Sequence, residues 1–308
     1  MLRAIACLSM VLSTGLGAEP TAPKAVKSSD SAIFFDDFSY GDLAGLTRNG
    51  WTLRTAKGWP GIPGARWGAE SFALVEDPAQ PGNRVLRMIA ETDGTSAGTR
   101  QAQLCQARKY FEGTYAARVR FEDKPVSGPA CDDVVQSFYT VCPFVRDYDP
   151  DYSELDFEYL PRGGWNEPGP TMDNTSWEKV RIEPWDAFNE HTLHPGSLDG
   201  WHLLVLQVSA GKIGYFVDGK RISEHGGKNY PRVPMSINFN LWFIKDGVGK
   251  DKAKRVWNEE IDWTFYAKDQ VLSTDEVAAA VTNLRKAGVA QTDSVPAANP
   301  PLPCPCDM

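Results

Sequence analysis

Asp147-Tyr-Asp-Pro-Asp-Tyr-Ser-Glu-Leu-Asp-Phe-Glu-Tyr159 is the stretch that decides the reading of this chain, because its second half alternates strictly. Glu154, Asp156 and Glu158 stand two residues apart, with Leu155, Phe157 and Tyr159 between them. Successive side chains of a β-strand point to opposite faces, so this pattern predicts a strand with three carboxyls on one face and its apolar residues in a core. Like charges this close repel, and the ordinary relief is that at least one carboxyl keeps its proton near neutral pH. A carboxylic acid beside a carboxylate is the pair that glycosidic bond cleavage requires.

Outward from the acids the sequence is aromatic, with Phe138, Tyr139, Phe144, Tyr148, Tyr152, Trp165 and Trp177 on either side. Flat apolar rings near charged oxygens suit a sugar, whose C–H faces stack on aromatics while its hydroxyls bond to polar groups. Tyr152, Trp177 and Trp242 are the residues expected to stack on a sugar, and Asn240 the one expected to hydrogen-bond it. Trp51, Trp201 and Trp263 are assigned to the core, and His202 to a structural role.

Beyond this stretch, short aromatic or β-branched runs alternate with Gly, Pro, Asn and Asp, the sequence form of an antiparallel sandwich. Expected strands are 33–38, 84–89, 113–121, 134–141, 153–160, 201–209, 212–217, 236–243 and 260–267. Asp218-Gly219 reads as a tight hairpin turn. Ser273 opens a capping box with Glu276, and Val277, Val281 and Leu284 follow at helical spacing, so one late helix is expected to pack outside the sheets. The resulting layout is a signal peptide at 1–18, a flexible linker at 19–31, one β-sandwich domain at 32–267, a helix within 268–288 and a Pro-rich tail, extended or disordered, at 289–308.

Arg3, the apolar stretch Ala4 to Leu12 and small residues at Gly15, Gly17 and Ala18 carry the signal-peptide reading, and with it a secreted, extracellular location. The 308 residues bear a net charge of −8 with no basic stripe, which argues against nucleic acid and anionic lipid as partners. No stretch of about 18 apolar residues suggests a membrane span. The four histidines show no zinc spacing with cysteine, so no cofactor is expected to be required. Of the five cysteines after residue 18, Cys131 and Cys142 are expected to form a disulfide. Positions 147, 149, 151, 153 and 158 mimic a calcium loop, but Tyr152 stands where such a loop needs Gly. A monomer acting on a polysaccharide is the expectation for partners.

Four blocks give the chain a resemblance to glycoside hydrolase family 16, the retaining β-glucanases built on a two-sheet, concanavalin A-like jelly roll. They are Phe35-Asp36-Asp37-Phe38, the strand Glu154 to Glu158, Trp201-His202 with Tyr215-Phe216-Val217-Asp218-Gly219, and Asn240-Leu241-Trp242. Ile261 to Tyr266 resembles the family's last strand. The resemblance implies Glu154 as nucleophile, Glu158 as general acid/base and Asp156 as the helper between them, and a possible structural calcium at Asp262. It also implies a lean toward mixed-linkage β-1,3-1,4-glucan or xyloglucan, because no extra residue interrupts the acidic strand before Glu158. Gln207-Val208 departs from the family pattern, and 165–195 does not match it. A lectin-like binding module of the same fold, or a transglycosylase, is the competing reading, although a binder needs no acid/base pair.

Overall fold

In the computed structural model, which describes residues 32–304 and 306, the acidic strand Glu154–Leu160 lies inside a seven-stranded antiparallel layer. Its neighbours are Val134–Val141 on one side and Thr171–Arg181 on the other. Beyond them the layer runs through Ser236–Phe243 and Arg100–Cys105 to Thr52–Leu53 at one edge, and to Asp186–Pro195 at the opposite edge. A second layer has Arg255–Lys268 at its centre. Gly113–Phe121, Gly200–Ser209, Lys212–Val217 and Lys220–Gly226 follow on one side. Arg84–Thr92 with Phe72–Glu76, and Ile33–Asp36 with Gln291–Asp293, share the other. Glu91 paired to Arg100 joins the two layers. This is the expected all-β, two-layer jelly roll with a short helix.

Alternation along each strand fills the space between the layers. Leu155, Phe157 and Tyr159 point inward, where they join Phe138, Phe239 and Leu241 from their own layer and Tyr115, Val119, Leu206 and Tyr215 from the other in one buried core. Phe138 stacks between Phe157 and Phe239, and Phe157 meets Tyr215 edge-on at 5.1 Å. Each such aromatic contributes roughly 1.5–3 kcal/mol by leaving water. The Asp218-Gly219 turn carries both residues at positive φ, +49° and +80°, and pairs Val217 with Lys220 as a tight hairpin requires.

The late helix is Thr274–Lys286, and its capping box forms: the Ser273 hydroxyl accepts from the Glu276 amide while Glu276 accepts from the Ser273 amide. Val277 and Val281 seat it on the outer face of the second layer against Val205, Trp263 and Phe265. Trp51 and Trp263 are buried as expected, whereas Trp201 is half-buried beneath the Arg118 guanidinium at 4.3 Å. The short helix Ala44–Arg48 has no counterpart in the sequence reading. Among the described residues no helix is long and apolar enough to cross a membrane. The expected signal peptide and the linker up to residue 31 lie outside the described residues.

The cysteine reading is corrected. Cys131 and Cys142 sit beyond opposite ends of Val134–Val141, and that eight-residue strand alone spans about 26 Å at 3.3 Å per residue. A disulfide needs α-carbons within about 7 Å, so these thiols are free. The bridge is Cys105–Cys306, with α-carbons 5.5 Å apart. Together with Gln291–Asp293, which extends the second layer beside Ile33–Asp36, it ties the Pro-rich tail to the sandwich instead of leaving it loose.

Two buried charge arrangements frame the fold. Arg255 and Asp132 are fully buried and bidentate, at 3.0 and 2.8 Å, and the same guanidinium also donates to the carbonyls of Asp251, Ala253 and Gly249. Arg255→Ala leaves Asp132 charged and alone in the interior, and is expected to cost about 3–5 kcal/mol in chemical denaturation. Glu259 is buried with no counter-charge among the described residues, and burial, opposed only by the Ser137 backbone, raises its pKa well above the ordinary carboxylate range. Because the folded pKa is raised, its contribution to stability is fully present below the unfolded value near 4.3 and is lost as pH rises toward the folded value. The difference in Tm between Glu259→Gln and the parent should therefore move in the variant's favour from pH 4.5 to pH 8.5. A pH-independent difference contradicts this account.

Candidate active site

Pairing register decides which side chains surround the three acids. Glu154 faces Val141 and Trp177, Asp156 faces Tyr139 and Thr175, and Glu158 faces Ser137 and Asp173. The register is unbroken from Glu154 to Leu160 on both sides, so the acidic strand has no bulge, as its spacing implied. All three acids line one groove of about 1280 Å³ on the outer face of the first layer. Residues 154 and 158 thus open onto a common space rather than being sealed beneath packed loops.

Glu154 and Asp156 are buried and Glu158 is half-buried, and the three are held differently. The Tyr152 hydroxyl donates to Glu154 Oε2. Trp177 Nε1 donates to Asp156 Oδ2 at 2.7 Å. Burial pushes Glu154 up to about 7, and the Tyr152 hydrogen bond opposes it. Asp156 lies well above the carboxylate range through burial, with the Glu154 and Glu158 charges adding to it. Glu158 is also raised well above its ordinary value, by burial first, then by Asp173 and Glu154. Asp173 stands in register with Glu158 on the next strand. Burial raises all three carboxyls of the row, and Glu154 alone has a hydrogen bond from Tyr152 that opposes the rise.

The expected sugar-contacting residues separate into two groups. Trp177 is partly exposed and Trp242 is 8% exposed; both line the groove, and Trp242 packs beside Trp165 with centroids 6.0 Å apart. Asn240 also lines it, and its buried Oδ1 has no donor among the described residues, an acceptor suited to a sugar hydroxyl. Tyr152 departs from expectation. At 2% exposure, with its hydroxyl on Glu154 and its ring edge-on to Phe144, it offers little face for stacking and acts on the carboxylate instead.

Asp262 lies far from this groove in its contacts. Its carboxylate accepts from Arg118 at 2.8 Å, Arg285 at 2.8 Å and Asn83 at 2.9 Å. Burial raises its pKa, but the Arg285 hydrogen bond and charge outweigh that and hold it below the ordinary value. The calcium implied by the resemblance does not fit here: two guanidiniums already neutralise the carboxylate, and a divalent cation beside them would meet strong repulsion. The helix Thr274–Lys286 supplies Arg285, so an arginine on that helix occupies the carboxylate offered to a metal.

Sequence reading missed the exposed Trp59 and Trp185, which meet at 6.1 Å although they come from elements at opposite edges of the layer. Trp185 in turn meets Trp177 edge-on at 6.0 Å. These rings wall the Glu154 side of the groove, and Trp165 with Trp242 stand on the Glu158 side. Neither Trp59 nor Trp185 lies in an alternating segment, so no periodicity marked them.

No family model matches the chain, and no curated protein matches it by sequence. Solved structures do match. A Bacillus licheniformis β-glucanase is 14% identical with a TM-score of 0.52, over 78% of this chain and 99% of that one. A mixed linkage glucan GH16 from Bacteroides ovatus, in complex with a product, is 15% identical with a TM-score of 0.57, over 75% and 98%. The κ-carrageenase of Pseudoalteromonas carrageenovora, in complex with an oligotetrasaccharide of κ-carrageenan, is 15% identical with a TM-score of 0.53, over 81% and 99%. The chain shares the jelly-roll fold of these enzymes.

Removing the hydroxyl that donates to Glu154 should be visible without any substrate. Tyr152→Phe is expected to raise the Glu154 pKa above about 7, read by carboxyl ¹³C NMR titration. An unchanged or lowered value would contradict the assignment of that hydrogen bond.

Proposed function

We propose that this protein is a family 16 glycoside hydrolase, exported from the cell, that cleaves internal β-1,3/β-1,4 linkages of a β-glucan-type polysaccharide with retention of configuration. The observation that carries the proposal is three carboxyls at unbroken two-residue spacing on one strand face, all opening onto one groove lined by tryptophans. A glycan-binding module has no use for such a row.

Glu154 ionises first and attacks the anomeric carbon, while Glu158 passes its proton to the leaving glycosidic oxygen. That bond breaks and a glycosyl ester of Glu154 forms. Water then gives a proton to Glu158, now a base, and displaces Glu154, restoring both groups. Retention requires the two carboxyls to come within about 5–5.5 Å, which asks the side chains of Glu154 and Glu158 to lean toward each other across Asp156 in the reacting complex. Neutral Asp156, tethered by Trp177, fills that gap without adding a third charge.

Trp177 and Trp242 offer ring faces to the sugar and Asn240 Oδ1 accepts from a hydroxyl. The unbulged strand favours mixed-linkage glucan or xyloglucan over laminarin. Burial of the acids also favours a neutral polymer, since an anionic one would bring further negative charge onto Glu154.

Glu158→Ala is expected to lower turnover of barley β-glucan by roughly 10²–10⁴-fold, and Glu154→Ala by at least as much, with little change in Tm. New reducing ends from barley β-glucan, laminarin and xyloglucan, with ¹H NMR of the first-formed anomer, check the reading. Binding without new reducing ends would favour a lectin, rearranged oligosaccharides with few new ends a transglycosylase, and inverted product would remove the nucleophile role of Glu154.

A further inference from the structure

Glu158 has a charged neighbour that lies outside its own strand. In the pairing register Asp173 stands directly opposite it on Thr171–Arg181, and both side chains line the groove. The strand on the other side gives Glu158 only Ser137, whose hydroxyl is already donated to the Asn240 carbonyl at 3.0 Å. On its own strand the titratable neighbours are Asp156 and Glu154, and the loops at the groove margin bring Asp133, Lys245 and Asp246. Among the described residues, Asp173 is thus the one titratable side chain in register with Glu158 on either flanking strand.

Asp173 is itself partnered from outside. His191, on the edge strand Asp186–Pro195, places Nδ1 3.5 Å from Asp173 Oδ2. The His191 side chain is 55% exposed while that of Asp173 is 12% exposed. The Thr175 hydroxyl donates to the same carboxylate at 3.4 Å. The arrangement is a short line across three strands: an exposed imidazole, a nearly buried carboxylate, then the half-buried Glu158.

We propose that Asp173 is a positioning residue that strengthens the hold of Glu158 on its proton by placing negative charge opposite it in register, with His191 closing its solvent side. Deepening the glycosidase reading, this makes Glu158 an acid whose proton is retained by a neighbouring strand. A carboxylate within a few ångströms disfavours ionisation of its neighbour. Asp173 acts through Glu158 and leaves the sugar alone.

Asp173→Asn keeps the shape but removes the charge, and is expected to lower the pH at which Glu158 titrates by about one pH unit. Asp173→Ser removes the same charge with a smaller side chain and is expected to lower it too. Carboxyl ¹³C NMR titration of the substrate-free full chain reads this directly, with the Glu158 signal assigned by its loss in Glu158→Gln. The alkaline limb of kcat/KM on barley β-glucan should move the same way in each variant. A Glu158 titration unmoved in Asp173→Asn, or moved upward, overturns the proposal. Should Asp173→Asn fail to fold, Asp173→Ser decides the matter by the same criterion. The titration needs no turnover, so expected shifts in a protein that cleaves no glycan would sink the glycosidase reading and leave this one standing.

Discussion

Desolvation of a row of carboxyls on an interior strand is the constraint on which the rest depends. A strand in the middle of a layer has both neighbours paired, so its outward side chains are hemmed in by those of the flanking strands. Glu154 and Asp156 are consequently nearly dry and Glu158 half-buried although they face a groove, and charge there costs far more than in water. The molecule answers by leaving a single favoured site for ionisation. Tyr152 stabilises charge on Glu154, and the charges around Asp156 and Glu158 discourage it on those two.

The same economy of charge governs the regions that support the groove. Arg255 and Asp132 neutralise each other in the interior and saturate their hydrogen bonds with carbonyls of the segment 249–253. Arg118 and Arg285 do likewise for Asp262, anchoring the helix to the second layer where a metal ion was anticipated. Glu259 is a buried acid without a counter-charge among the described residues, and burial raises its pKa against the opposing backbone of Ser137.

The groove's walls follow from connections rather than from strands. The loop carrying Trp59 is tied to the layer by Arg54, whose guanidinium donates to the Trp59 carbonyl and to Gln103. Trp185 belongs to the turn between Thr171–Arg181 and Asp186–Pro195 and lies against Trp177. Because Trp177 also holds Asp156, the ring that shapes the groove wall is bonded to the middle acid of the row. Substrate shape and acid chemistry are therefore coupled through one indole.

Much of the fold was legible in the sequence where one face of a strand is apolar: Gly113–Phe121, Val134–Val141, Lys212–Val217 and Ser236–Phe243 have the boundaries their alternation predicted. Thr171–Arg181 was not, because both its faces are polar. Asp173 and Thr175 line the groove, while Ser176 on the inner face bonds to Tyr215 and His225. A strand with no hydrophobic period leaves no trace for pattern reading. The sequence by itself determined the sandwich, the outer helix and the three acids on one face, since a period of two is a local property of the chain. Only the tertiary structure decided that Asp173 stands against Glu158, that Tyr152 serves Glu154, that Cys105 joins Cys306 and that Arg285 takes Asp262. Those partners are set by register between strands and by loop closure, and neither is written in the spacing of residues along one strand.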